Sequence, residues 1–513
     1  MAGQPVSRSL RAEWGCAGAV IALFAWAVWS RYQWLGSSGP VGIDGYWYAI
    51  QTRSLLEDGS LYYSSLPGVV AWLAPFVATA GPVEGLRIGS VLATTLAIVA
   101  SYLLARRLAR SPWAGLVAAA IVATSPSSIY LTGEFVKQGL AMTALTLGWW
   151  LGDRALERPS RGRVIAALGG LVLASATHKL GLALGLVSMA IVLFIHGSRA
   201  RLGTRRLAIW LAAAGVLASG TLGLQSGRLA AWFGPFDAAL PALRLPGGLA
   251  LFMGYEVAAA VVLVVGLLLL RAIRPHRAPL PPIVISLIAL VALIAWPWLD
   301  VSDPSALGLR VRLLAPILVA PLAGYLVAAF ARAVGGGTSN ALVPAVAVAV
   351  VLALATGRPW TSDDGIVRPH WAMVDAVQRA AANLPADAEV VTPERQVAFI
   401  YTWLSRRPAR VRPGLGRLGP MTYRLVPGAW FEPEARAVVL DGLADSDVDP
   451  GMVDHHAAIR PGLVSMTEAR YQRFVAGLAP EPQRRWQAWD RRGRLARLSP
   501  TLYPSAVERP GEQ

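Results

Sequence analysis

Lysine is nearly absent from this chain of 513 residues: of 47 basic residues only Lys137 and Lys179 are lysines, and the rest are arginine. Cysteine is scarcer still, with Cys16 alone. One cysteine makes no internal disulfide, so a disulfide-stapled scaffold is excluded, and no long apolar run precedes it to act as a lipoprotein signal. Charge is sparse as well, at 15% of residues, where a soluble globular chain carries about 25%. Against these absences stand 55% hydrophobic residues and a mean hydropathy of +0.49. That balance excludes disordered and collagen-like chains and points to a polytopic membrane protein.

The net charge of +17 is unevenly spread. Residues 1–356 hold 26 basic and 12 acidic residues, and residues 357–513 hold 21 and 18. Crossing the ~30 Å hydrocarbon layer takes about 20 apolar residues. Runs of this kind predict spans near 14–35, 84–105, 112–131, 138–153, 164–177, 180–197, 207–224, 248–270, 282–299, 311–331 and 341–356, eleven in all. The fifth and sixth are short and meet at Thr177-His178-Lys179. Short cytoplasmic loops are enriched in Lys and Arg. One side of these spans gathers 17 basic residues, among them Arg106, Arg107, Arg154, Arg205 and Arg332, with only Glu13, Asp153 and Glu157 as acids. The other side balances 9 with 9. The arginine side is therefore read as cytoplasmic, the N-terminus with it, and the odd span count puts the C-terminal region outside. The expected location is a bacterial cell (inner) membrane. Because the basicity is a topology signal, a nucleic-acid partner is not inferred despite an isoelectric point near 10.7.

Residues 357–504 contain no span-length run and read as a small extracytoplasmic α/β domain, followed by a polar tail over 505–513. Helical spacing over 371–384, short strands at 389–392 and 437–440 and a terminal hairpin within 484–498 are predicted there. The longest outer segment between spans, 36–83, is unusual. It carries Asp44-Gly45-Tyr46-Trp47-Tyr48, which opens an interfacial helix ended by Glu57-Asp58-Gly59, and then an apolar stretch over 66–80 that is short for a span. Asp44 stands where a helix cap is expected.

This order of features resembles the glycosyltransferase-C superfamily, especially the lipid A aminoarabinose transferases and protein O-mannosyltransferases (glycosyltransferase family 39-like). The resemblance rests on the outer aspartate after the first span, the Gly-ended turn, Tyr102-Leu103-Leu104-Ala105-Arg106-Arg107-Leu108 and Gly133-Glu134-Phe135-Val136-Lys137. It continues in Leu173-Ala174-Ser175-Ala176-Thr177-His178-Lys179-Leu180-Gly181, similar to the family's small-residue run ending in Thr-Lys-Gly, and in Arg310-Val311-Arg312-Leu313-Leu314-Ala315-Pro316. It covers about the first 200 residues well and the rest loosely. The resemblance implies a fold of about eleven membrane helices with interfacial helices in the first outer loop. It also implies transfer of a sugar from a polyprenyl-phosphate carrier to an acceptor on the outer face. Asp44 becomes the general base and Glu134 a second acidic group. The sequence departs from the mannosyltransferases, which follow the aspartate with glutamate, in having Gly45. It departs from the aminoarabinose transferases in having Tyr62-Tyr63-Ser64-Ser65-Leu66-Pro67 in place of a Phe-Glu-Lys-Pro-Pro element.

A lipid-phosphate leaving group calls for cations at the outer boundary. Lys137, Lys179, Arg310 and Arg312 map there, with His178 beside Lys179, so both lysines of the protein fall in this set. Each residue also has a plainer reading. Asp44 caps a helix, the cations anchor to headgroups, His178 is a hydrogen-bonding turn residue, and Glu134 pairs with Lys137 across one helical turn. Glu256, in the eighth run, is a candidate by depth, and Asp300 and Asp303 are turn residues first. No metal-ligand motif is present; Asp44 and Glu134 could hold Mg²⁺ or Mn²⁺ through oxygen. The competing classes are a transporter or lipid-linked sugar flippase without transferase activity, and a structural or sensory membrane module. The former expects internal repeats and paired intramembrane charges that the sequence does not display.

Overall fold

The computed structural model describes residues 5–199 apart from 37–38, 41 and 43, then 280–295, 310–335 apart from 312, 389–411 apart from 393–394, the strands at 422–427, 463–467 and 505–507, and isolated positions between them. The expected spans at 207–224, 248–270 and 341–356 lie almost wholly outside the described residues, as do the strand at 437–440 and the hairpin at 484–498. Arg312, Glu256, Asp300 and Asp303 lie outside them too. The chain divides into two compact units, one of residues 1–36 and 64–365 and one of residues 37–63 and 366–513.

The first unit is helical: α1 (Pro5–Trp34), α3 (Gly68–Ala80), α4 (Pro82–Ala109), α5 (Pro112–Thr124), α6 (Pro126–Gly133), α7 (Val136–Glu157), α8 (Arg161–Thr177), α9 (Lys179–Arg199), α10 (Pro282–Ala295) and α11 (Ala315–Gly335). Within the described residues four stretches are long and apolar enough to cross a membrane, Ala12–Trp34, Pro82–Ala109, Lys179–Ser198 and Ala315–Ala333. A fifth forms if α5 and α6, bent by 54°, count as one. The chain is thus a mostly helical, multi-pass membrane protein. Helix starts follow local chemistry. Pro82, Pro112 and Pro126 stand at first positions, where a missing N–H costs nothing, and the Ser125 and Ser160 side chains accept from Ser128 N and Arg163 N.

The core forms around α4, which packs against α1, α3, α5, α7 and α11. Its inward face is rich in small residues (Ala93, Ala97, Ala105) beside Ile98 and Leu104, which lets neighbouring helices approach closely. Outward faces stay apolar: Trp14, Ile21 and Trp29 on α1 and Ile165, Leu168 and Val172 on α8 are exposed, as lipid-facing side chains are.

The second unit holds α2 (Gly45–Asp58), α12 (Arg395–Ser405) and a five-stranded mixed sheet of β1 (Glu389–Thr392), β2 (Ala409–Val411), β3 (Thr422–Pro427), β4 (Leu463–Thr467) and β5 (Ser505–Val507) in the order β2-β1-β3-β4-β5. β1 is parallel to β2 and β3, with Val390 opposite Ala409 and Tyr423; α12 is the crossover between β1 and β2. β3 and β4 are antiparallel, and β4 and β5 parallel. β5 falls within 505–513, the stretch read from sequence as a polar tail.

The helix after Asp44 forms where expected, but its environment differs. Tyr46, Trp47, Tyr48, Ile50, Gln51 and Thr52 are all buried, on every side of the helix, so no face of these first two turns is left for headgroups. Its later half packs on α12: Arg53 donates to the carbonyls of Trp403 and Thr402 and stacks on the Trp403 ring at 4.6 Å, while Tyr63 lies against Phe399. Trp403 and Phe399, far along the sequence, supply the cover that an apolar pattern assigns to lipid.

Candidate functional site

Two places carry the candidate residues, one in each unit. In the second unit Asp44 occupies the N-cap position of α2, with φ −107° and ψ 8°. Its carbonyl accepts from Tyr48 N at 2.9 Å, but its side chain makes no capping hydrogen bond. The plain capping role expected of an aspartate there is therefore not the one its carboxylate performs. The loop that delivers it is tight. Gly45 N donates to Gly42 O at 3.1 Å, and a Cβ on Gly45 would stand 3.0 Å from the Pro40 carbonyl carbon, so the glutamate of the mannosyltransferase pattern would require this loop to shift by a few tenths of an ångström. Downstream the helix is clipped to its return segment: the Gln51 amide donates to Tyr63 O at 2.8 Å and accepts from Tyr63 N at 2.7 Å.

In the first unit α7, α8 and α9 run up and down in turn, so the starts of α7 and α9 lie at one end. The two expected short spans are helices α8 and α9, and the break between them is one residue, His178, in extended conformation. His178 Nδ1 accepts from Leu180 N at 3.1 Å and so caps the start of α9. Gly181 makes the turn compact, since a Cβ there would lie 2.8 Å from Ala174 O and 2.9 Å from Ala141 Cβ; this is the physical content of the small-residue run. Burial, together with the positive charges of Arg310, Lys137 and Lys179, pushes the His178 imidazole down to about 3. The ring is neutral at physiological pH, with its second nitrogen as the N–H. Three of the four predicted cations thus converge on one histidine.

The second strand of this site is the turn between α6 and α7. Glu134, 1% exposed, follows the end of α6, and Phe135 (φ −134°, ψ 51°) breaks the chain before α7 begins. The continuous helix on which a one-turn Glu134–Lys137 pairing was predicted is therefore absent. Arg310 sits over the Phe135 ring at 5.1 Å, which joins residues 134–137 to residue 310. Both lysines occupy first turns, Lys137 in α7 and Lys179 in α9, and neither helix has an acidic residue there. Helix starts carry partial positive charge and disfavour cations. Placing the protein's only two lysines at two such ends concentrates positive potential that an anion would relieve.

Among the described residues no three His, Cys, Asp or Glu side chains gather as metal ligands. Sequence reasoning passed over Arg31, fully buried in α1 and hydrogen bonded to α4, α5 and α6. The available signal was a charge inside an apolar run.

Fold and site together define an integral-membrane helical protein with a cationic cluster at one end and a separate acidic residue in a buried aromatic helix. The family comparison bears on this class directly. Residues 51–151 match the family model for dolichyl-phosphate-mannose-protein mannosyltransferases, which confirms over that segment the resemblance to the glycosyltransferase-C superfamily. No curated protein matches the chain. Two crystal structures of ArnT from Cupriavidus metallidurans are similar, one apo (17% identity, TM-score 0.37, covering 84% of this chain and 95% of that one) and one bound to undecaprenyl phosphate (16%, 0.37, 86% and 97%). Likeness at this level carries no argument about the site.

Proposed function

We propose that the chain is an integral-membrane glycosyltransferase that moves a sugar from a polyprenyl-phosphate carrier to an acceptor on the extracytoplasmic face. The observation that carries this reading is the gathering of Lys137, Lys179 and Arg310 around a neutral, helix-capping His178. Three fixed cations and two helix starts suit a phosphate whose negative charge grows as it leaves. The match of residues 51–151 to a family that uses a lipid-phosphate sugar supports it.

In the proposed step the acceptor hydroxyl or amine attacks the anomeric carbon and the bond from that carbon to the phosphate oxygen breaks. The lipid phosphate departs with the electron pair, and the acceptor proton passes to the Asp44 carboxylate. A positioned base contributes about 10²–10⁴-fold. Lys137, Lys179 and Arg310 hold the leaving phosphate, and the free N–H of His178 donates to one of its oxygens; Arg312 is retained in the same role. Glu134 is read as a second acidic group that orients the acceptor or Lys137. The positive arginine end faces the cytoplasm in this reading, as the charge rule requires. The test is Asp44→Asn, assayed for sugar transfer from purified polyprenyl-phosphate sugars in proteoliposomes. Transfer is expected to fall by at least about 10²-fold with insertion and polyprenyl-phosphate binding retained; full activity would sink the role assigned to Asp44. Uptake of a lipid-linked sugar without transfer would favour the flippase reading.

A further inference from the structure

Arg31 is 1% exposed, lies within the apolar stretch Ala12–Trp34, and is among the largest fully buried side chains described. A buried guanidinium is costly unless its donors are satisfied and its charge is matched. Among the described residues no carboxylate pairs with it; its partners are neutral oxygens. Nη2 donates to Val122 O and Ser128 Oγ, each at 3.0 Å, and Nη1 reaches Thr94 Oγ1 at 3.4 Å and Thr132 Oγ1 at 3.5 Å. Thr94 and Thr132 are themselves joined hydroxyl to hydroxyl at 2.7 Å.

The choice of partners is informative. In an unbroken helix the Val122 carbonyl would accept from the amide four residues on, which is Pro126 and has no N–H. Proline both bends the α5–α6 pair by 54° and orphans that carbonyl, which inside a membrane must find another donor. Arg31 supplies it. With the same group it grips Ser128 and Thr132, one turn apart on α6, and α6 ends directly before Glu134, Phe135 and Lys137. One side chain from α1 therefore satisfies the break and fixes the direction of the half-helix beyond it.

We propose that Arg31 is a positioning residue: its guanidinium clamps the broken α5–α6 helix and thereby sets the Glu134–Lys137 turn at the cationic site. The functional part of this inference rests on the phosphate-binding reading above, while the clamp does not. A cysteine-less background is simple to make, because Cys16 is the single cysteine. In a Cys16→Ala, Phe135→Cys protein purified in detergent, maleimide labelling reports the turn directly, and undecaprenyl phosphate binding reports the site. Arg31→Met is expected to change the labelling rate at residue 135 at least about tenfold and, in the Phe135-containing protein, to weaken lipid-phosphate binding by about 10²-fold, the scale of misplacing a positioned group. Arg31→Lys keeps charge and donors but not the fork, and is expected to recover part of both. Should Arg31→Met fail to insert, Ser128→Ala with Thr132→Val removes two of the acceptors and keeps the arginine, and the same direction of change is expected. Unchanged labelling in these variants, with only a lower thermal midpoint, overturns the clamp. Altered labelling in a protein whose unmutated form binds no lipid phosphate supports the clamp and defeats the phosphate reading instead.

Discussion

The two ends of helix α7 treat positive charge in opposite ways. Where α7 finishes, arginines meet carboxylates: Arg107 bonds Asp153 at 2.6 Å and Glu157 at 2.5 Å, Arg106 meets Glu13 at 3.0 Å, and Arg332 donates to Ala109 O at 2.9 Å. Arg107 in α4 reaches acids on α7, and Arg332 in α11 a carbonyl of α4, so charge at this end fastens helices together. Where α7 starts, burial first, and then the positive charges of Arg310, Lys137 and Lys179, keep the His178 imidazole neutral. Charge at that end is gathered against electrostatic preference. A cation that bridges helices explains itself through packing, whereas cations at helix starts raise the local positive potential.

The strongest break in this comparison is Lys137→Gln combined with Lys179→Gln. Charged hydrogen bonds contribute about 1.5–3 kcal/mol each, so loss of both predicts at least about 10²-fold weaker undecaprenyl phosphate binding by titration. A lower thermal midpoint with unchanged binding would make the lysines structural. The mirror experiment is Arg107→Met. It removes the partner that Asp153 and Glu157 share and is expected to lower stability in denaturant melts, chiefly through the half-buried Asp153, with lipid-phosphate binding unaltered. The smallest effect is a pH slope. A histidine at about 3 in the folded chain and near 6.5 unfolded binds its proton first in the unfolded state, so stability is fully present above about 6.5 and is lost as pH falls from there towards 3. His178→Asn keeps an acceptor for Leu180 N and should flatten that slope. A slope identical in both proteins would place the titration elsewhere.

Much of the site was legible because its residue types are rare. Two lysines among 47 basic residues, a histidine between two apolar runs and an arginine ahead of Leu313-Leu314 stand out in any reading of the chain. The break at Phe135 was not legible, because a one-turn spacing of Glu134 and Lys137 presumes an unbroken helix. Arg31 could be noticed as a charge inside an apolar run, but its role could not be read. Its partners are a carbonyl and three hydroxyls from residues 94, 122, 128 and 132, and no pattern in residues 12–34 announces them.

The sequence by itself determined that the chain lives in a membrane, which end of each helix carries arginine, the approximate positions of most helices in the first 200 residues, and that two short runs meet at Thr177-His178-Lys179. These follow from composition and period. Only the tertiary structure decided that the helix after Asp44 is buried against Arg395–Ser405, that Asp44 does not use its side chain as a cap, and that the charges of three cations from three separate segments bear on His178. It alone decided that a proline-orphaned carbonyl is answered by an arginine 91 residues earlier. Burial and hydrogen-bond satisfaction are set by which distant segments arrive at a place, and periodicity within one segment carries no record of its neighbours.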